Sequence, residues 1–567
     1  MTSSRAHSES DVAHTAPRAV LLHVLRGTLA LSALIFTCTY LGCAALRVSY
    51  PWEVEWMEGG MIVHAARVLR GLPIYAQPSL EFIAYFYTPL YAYVLAALSY
   101  VTGGLSFALG RGVSIAASLA TMGMLLYAAR RERGWLAGVL AVGLYAAMFR
   151  VSGAFYDLAR VDSLSLALLL AAGLVAHYKP TLRGSVLAAA LSVLAIFAKQ
   201  TSAVVCVFIG CALLLRNLRN SRVGLAYAAV GGVLSLLGAL YFEHSSQGWF
   251  SFYIWRGHQG HAFQTRGVLL SYWRDLVCLS PFVLLVPTLG ASYGRFTRWL
   301  AVPLALFWMF AWGDRVQLWS ARLNEHYSAL WYASSRAALI ATPLCLALLL
   351  GAARWLTRGQ GLRAPDSFFL WLWAGGAIAS ALNYATQWAY SNCFMPVAVF
   401  ASLYSALTLA ELLQLRCADS VRGTAAAALC ACAMLSQLFA LSYDPRDQVP
   451  SAEDRAAVRD VLAKLDTLAA PVLMPAHPLY GYLRDGTICA HSMGFRDVSQ
   501  AGGVQDVEAR LASGEFRSVV IDTNGRRPGA LKHHYQRVDK LEFKGRALYP
   551  MTGYKVRPEY VFVYTSK

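Results

Sequence analysis

The sequence predicts an α-helical polytopic membrane protein of about thirteen spans, with a small α/β domain at its C-terminal end. Three observations point there. The 567 residues are 57% hydrophobic and 14% charged, with a mean hydropathy of +0.46, whereas a soluble chain carries about 25% charged residues. Apolar runs of near-spanning length recur from residue 27 to residue 441. After 442 the apolar runs become short and are punctuated by Gly, Pro and Asp.

Residues 1–26 are polar, with Arg5, Arg18 and Arg26, and precede the apolar run "GTLALSALIFTCTYLGCAAL". A cleaved signal has a shorter apolar core followed by a small-residue cleavage site. The run therefore reads as an uncleaved first span with a cytoplasmic N-terminus. A spanning helix needs about 20 mainly apolar residues. Candidates fall near 27–46, 107–129, 135–150, 163–178, 184–198, 201–216, 223–242, 269–290, 299–312, 336–352, 366–383, 393–415 and 423–441. The run "TPLYAYVLAALSYVT", 88–102, is decided by charge. If it does not cross, the basic clusters 130–133, 179–183, 216–222, 293–298, 354–363 and 416–422 all lie on the cytoplasmic side, as the positive-inside rule requires. We therefore read 88–102 as a short re-entrant or interfacial helix, allowed where protein covers it. Much of the basic charge behind the formal net +18 sits in such short clusters between apolar runs, which argues against a nucleic-acid surface. Most of the eleven cysteines sit in apolar runs and form neither a disulfide framework nor a CxxC metal site.

This topology puts 47–106, 151–162, the Lys199 turn, 243–268, 313–335, 384–392 and everything after 442 on the outer side. The inner loops are short and basic; the outer ones are longer and hold Glu, Asp, His, Trp and Tyr, so chemistry is expected there. In the tail, 442–567, "AEDRAAVRDVLAKL" has helical period, and "PVLMPA", "RSVVID" and "YVFVYT" read as strands. The expectation is an outer-face lid or docking unit without catalytic residues. No repeat of fixed period occurs.

The first outer loop concentrates carboxylates: Glu53, Glu55 and Glu58. Apolar residues at helical spacing in "EGGMIVHAARVLRG" predict an amphipathic helix lying on the membrane with Glu58 at its start. There Glu58 would serve as general base or cation ligand. Glu53, beside Pro51 and Trp52, reads as solvated. Tyr85 and Tyr87 close the loop as substrate-contact candidates. Arg160 and Asp162 stand at the outer end of the next outer loop, as an ion pair or as part of the site. Lys199 breaks the inside placement of basic residues and suits a phosphate in the outer leaflet. Arg256, His258, Arg322 and His326 lie among aromatics in later outer loops and could hold phosphate or acidic groups. His258 and His261 lack a third ligand for a metal.

The segments "AARVLRGLPIY" and "YTPLYAYVLAAL", then "ARVDSL", "FAKQT" and "LNYATQW" with Asn383, resemble the GT-C superfamily of integral-membrane glycosyltransferases over roughly residues 20–440. The resemblance is strongest to bacterial members similar to protein mannosyltransferases, the lipid A aminoarabinose transferase and galacturonic acid transferases. It implies a GT-C-like fold, a sugar donor on undecaprenyl phosphate or a similar lipid, an envelope acceptor, and a catalytic carboxylate in the first outer loop. Many members carry Asp-Glu there, where this chain has Met57-Glu58. Glu58 is then the expected base, with Glu55 one turn earlier as second choice. Arg160 and Lys199 would neutralise the leaving phosphate, Asp162 would orient Arg160 or the acceptor, and a divalent cation is left open. The competing readings are a flippase for a lipid-linked glycan and a non-catalytic envelope scaffold. A transporter would place ionisable residues near the midplane in repeated halves, a pattern absent here.

Overall fold

The computed structural model describes residues 3–216, 221–294, 347–348, 351–359, 361–414, 419–499, 503–523, 525 and 527–565. Among these, five helices are long and apolar enough to cross a membrane: Ala16–Val48, Phe107–Arg133, Arg222–Ser245, Ser391–Leu412 and Val421–Ala440. Shorter apolar helices fill the space between them. Together they make a multi-pass membrane protein.

In chain order the first nine helices are α1 (Ser3–Val48), α2 (Glu58–Leu69), α3 (Leu90–Thr102), α4 (Phe107–Arg133), α5 (Trp135–Ala147), α6 (Asp162–Tyr178), α7 (Leu182–Ala198), α8 (Ala203–Arg216) and α9 (Arg222–Ser245). The polar 1–26 segment does not stand apart: α1 carries the first span's helix back to Ser3. Local chemistry sets several ends. Ser106 caps α4 by accepting from the Leu109 amide, and Thr181 caps α7 by accepting from Gly184. Gly103, at φ +80°, takes the left-handed turn that stops α3.

At 1.5 Å per residue, 13-residue α3 is about 20 Å long, short of the about 30 Å hydrocarbon thickness. Helix α5 is equally short, and the chain continues from it through turns at 148–161 that are almost wholly buried. Irregular backbone of this kind survives beside a bilayer only inside protein, and it delivers Asp157, Arg160 and Asp162 to the interior. The expected 269–290 span is two helices, Tyr272–Leu279 and Phe282–Ser292, broken at Ser280-Pro281. The 299–312 span lies outside the described residues, as does most of 336–352.

Met395–Leu412 is the hub, buried along nearly its whole length. It packs on α4, α5, Ser367–Tyr384 and Phe282–Ser292. By contrast α9 buries only Gly224 and Tyr227 and exposes Leu236, Leu237, Leu240 and Tyr241, an apolar surface suited to lipid.

The tail forms a four-stranded mixed sheet of order β1-β2-β4-β3. Strand β1 (Val472–Leu473) runs parallel to β2 (Ser518–Asp522), and β4 (Pro558–Tyr564) is antiparallel to both β2 and β3 (Tyr535–Lys540). The sequence reading misses β3: "YQRVDK" is mostly polar and exposed, so it carries no apolar alternation. Helix Ala452–Asp466 starts with a reciprocal Ser451–Asp454 capping box.

Candidate active site

Helix α2 does not lie on a membrane surface. Glu58 through Ala66 are all buried, clasped between α3, α4 and helix Pro478–Asp485 of the tail. Its two opening glycines are required by close approach. A Cβ on Gly59 would press against the Glu53 carboxylate, and one on Gly60 would collide with the Tyr85 hydroxyl.

Each first-loop carboxylate has a different partner. Glu58 is held by Arg111 of α4, from Nε to Oε1 at 2.9 Å and from Nη2 to Oε2 at 2.7 Å. Backbone amides of Val54, Glu55 and Ala159 also donate to it. These five donors fill the lone-pair sites of a carboxylate. Burial alone would raise its pKa, but Arg111 and the amides outweigh burial and hold the carboxyl below its ordinary range. Arg111 further donates to the carbonyls of Arg47, Tyr50 and Trp52. The pair is thus the rivet that shapes the loop. It does not leave Glu58 a free basic oxygen, which corrects the expectation of a surface carboxylate facing lipid headgroups.

Glu55 is different. Its Oε2 accepts from Arg160 Nη1 at 2.8 Å and from the Met57 amide at 3.2 Å. Burial lifts its carboxyl to about 7, against the pull of Arg160. Arg160 also donates from Nη2 to the Tyr87 hydroxyl at 2.8 Å, and its Nε is buried without a hydrogen-bond partner. Gly553, at φ +82°, lies over Glu55, where a Cβ would sit 2.8 Å from Oε1.

Glu53 is buried, not solvated, and meets His477 of the tail at 3.1 Å. Asp157 pairs with Arg47 at 2.9 Å. Asp162 takes Lys199 Nζ at 2.6 Å and Asn392 Nδ2 at 3.1 Å, while its buried Oδ2 has no hydrogen-bond partner among the described residues. Asp162 therefore orients Lys199, not Arg160. Beside this pair lies a tight crevice of about 10 Å³, lined by Leu166, Leu169, Val205, Ala379 and Met395 together with Ser165, Thr201 and Ser202.

Gln200, next to Lys199, donates to the Phe86 carbonyl and meets His258 Nε2 at 3.1 Å, which brings His258 to the Lys199 turn. Tyr85 is buried with its hydroxyl unpartnered, its ring edge-on to Tyr87 and His491. Arg256 is bound locally to Ser251 and the Gly248 carbonyl, apart from the carboxylates. The Asn383 amide nitrogen is buried without a hydrogen-bond partner; the asparagine that joins the Asp162–Lys199 pair is Asn392. Arg322 and His326 lie outside the described residues. Among the described residues no cluster of three metal-ligating side chains occurs, and His261 turns to Asp497 at 3.3 Å.

The sequence reading missed Arg111, His477, His491 and Asn392. Arg111 did carry a signal, as a lone arginine inside an apolar run. The histidines carried none, since they reach the loop only through the fold.

No family model and no curated protein matches the chain. Among solved structures it is similar to ArnT of Cupriavidus metallidurans bound to undecaprenyl phosphate, at 14% identity and TM-score 0.45, over 95% of this chain and 98% of that one. It is also similar to the oligosaccharyltransferase AglB of Archaeoglobus fulgidus, in complex with an inhibitory peptide and dolichol-phosphate. That match is at 12% identity and TM-score 0.44, over 87% of this chain and 69% of that one.

Proposed function

We propose that this protein is an inverting glycosyltransferase that moves a sugar from a polyprenyl-phosphate donor to an envelope acceptor on the outer face of the membrane, with Glu55 as its general base. The observation that carries this reading is the division of labour between two carboxylates three residues apart. Glu58 is saturated by five donors and held ionised. Glu55 is poised at about 7, where a base both accepts a proton and is deprotonated at working pH.

In the reaction, the acceptor hydroxyl gives its proton to Glu55. Its oxygen attacks the anomeric carbon from the face opposite the phosphate. The carbon–oxygen bond to the lipid phosphate breaks with its electron pair left on the phosphate, which gains a negative charge. Arg160 and Lys199, each already aligned by a carboxylate, stabilise that charge as it develops. Arg47–Asp157 and Arg111–Glu58 support the loop and take no part in the chemistry.

The test is transfer from a polyprenyl-phosphate sugar in liposomes, with release of free polyprenyl phosphate as the readout. A flippase would move the intact lipid-linked sugar and release none. Movement without release refutes the proposal.

A further inference from the structure

Trp52 stacks on Tyr480 with ring centroids 4.3 Å apart, and the Tyr480 hydroxyl donates to the Pro51 carbonyl. Glu53 meets His477. The Thr552 amide donates to the Val54 carbonyl, and His491 Nε2 lies 3.0 Å from the Trp56 carbonyl. The tail thus grips Pro51, Trp52, Glu53, Val54 and Trp56 in turn, while the Glu55 carboxylate between them is held by Arg160 from the membrane region. The grip is mostly neutral. The Met493 amide donates to His491 Nδ1, which leaves Nε2 as the donor to Trp56, and burial drives its pKa down to about 3.

His477 is the exception. Its Nδ1 faces Glu53 Oε2 at 3.1 Å and its Nε2 faces Asp522 Oδ1, at the end of β2, at 2.9 Å. A ring with a carboxylate at each nitrogen is favoured as an imidazolium: Nδ1 hydrogen-bonds Glu53, and Nε2 stands in ion-pair contact with Asp522 without hydrogen-bond geometry. The other groups around it are the Trp52 and Tyr480 rings, with Glu58 and Arg111 behind Glu53 and His491 beyond. None of these compensates Glu53, whose Oε1 is buried without a partner. Among the described residues, His477 is the cation paired with that carboxylate.

We infer that His477 is a positioning residue: its imidazolium, bridging Glu53 and Asp522, locks the tail sheet onto the first outer loop in the register that aims Glu55 at Arg160. The inference rests on the reading of Glu55 as base, but the clamp is measurable without it. Burial opposes the charge on His477, and the two carboxylates outweigh burial and raise its pKa to about 10.

The experiment uses the full chain in detergent and follows hydrogen–deuterium exchange of segments 51–58 and 550–554. In His477→Gln, exchange in both segments should rise about tenfold or more, as expected for the loss of one charge-assisted hydrogen bond, with the α4 and α6 core unchanged. The triple variant His477→Gln/Glu53→Gln/Asp522→Asn replaces charges by amides throughout and should restore most of the protection. Unchanged exchange in the single variant overturns the clamp, and so does an increase spread evenly over all helices. If protection is lost and recovered as stated while Glu55→Gln keeps full transfer activity, the clamp stands and the assignment of the base falls.

Discussion

The sharpest test compares Glu55→Gln with Glu58→Gln, because the structure gives the two different failures. Gln at 55 keeps the shape and the acceptor oxygen for Arg160 but cannot take a proton. A general base contributes about 10²–10⁴-fold, so turnover should fall by that factor with donor binding and thermal stability little changed. Gln at 58 breaks a pair whose members are both fully buried, leaving the Arg111 charge uncompensated. Removing one partner of such a pair costs about 3–5 kcal/mol, so this variant should be poorly expressed or melt early. Its surviving folded fraction should still transfer sugar. Because the carboxylate form of Glu55 is the active one, wild-type kcat/KM should rise with pH through about 7, and this limb should vanish in Glu55→Gln. The assay is initial-rate transfer in liposomes across pH, normalised to protein that remains folded by fluorescence-detected melting. A Glu58→Gln protein with normal melting and no turnover, beside an active Glu55→Gln, returns the base to Glu58 and refutes the reasoning.

On the proposed role, Lys199→Gln should lower kcat as well as raise KM for the lipid donor, since the lysine would face the phosphate when bound and as its charge develops; unchanged kcat and KM remove it from the donor site. Gly60→Ala places a methyl group against Tyr85 and should lower the melting temperature in detergent, with recovery in Gly60→Ala/Tyr85→Ala. Wild-type stability should be greatest below about 6.5 with respect to His477 and decline as pH rises toward about 10, since the folded state holds that proton more tightly than the unfolded chain. The decline should be smaller in His477→Gln. A reporter active only in the cytoplasm should be active after Arg131 and silent after Gly104 or Lys567; activity at Gly104 makes 88–102 a span and inverts every later loop.

The membrane class, most helices and the concentration of carboxylates in the first outer loop were legible in the sequence, because hydropathy and charge placement are properties of the solvent each segment meets. Roles within the loop were not legible. Glu53, Glu55 and Glu58 are three identical side chains on one short segment. Their chemistry is decided by His477, Arg160 and Arg111, residues brought from the tail, the buried 148–161 turns and α4. Only packing could assign one carboxylate to a clamp, one to a rivet and one to a pKa near neutrality, because burial and the nearest cation set a carboxyl's affinity for protons and neither is encoded within the loop's own sequence.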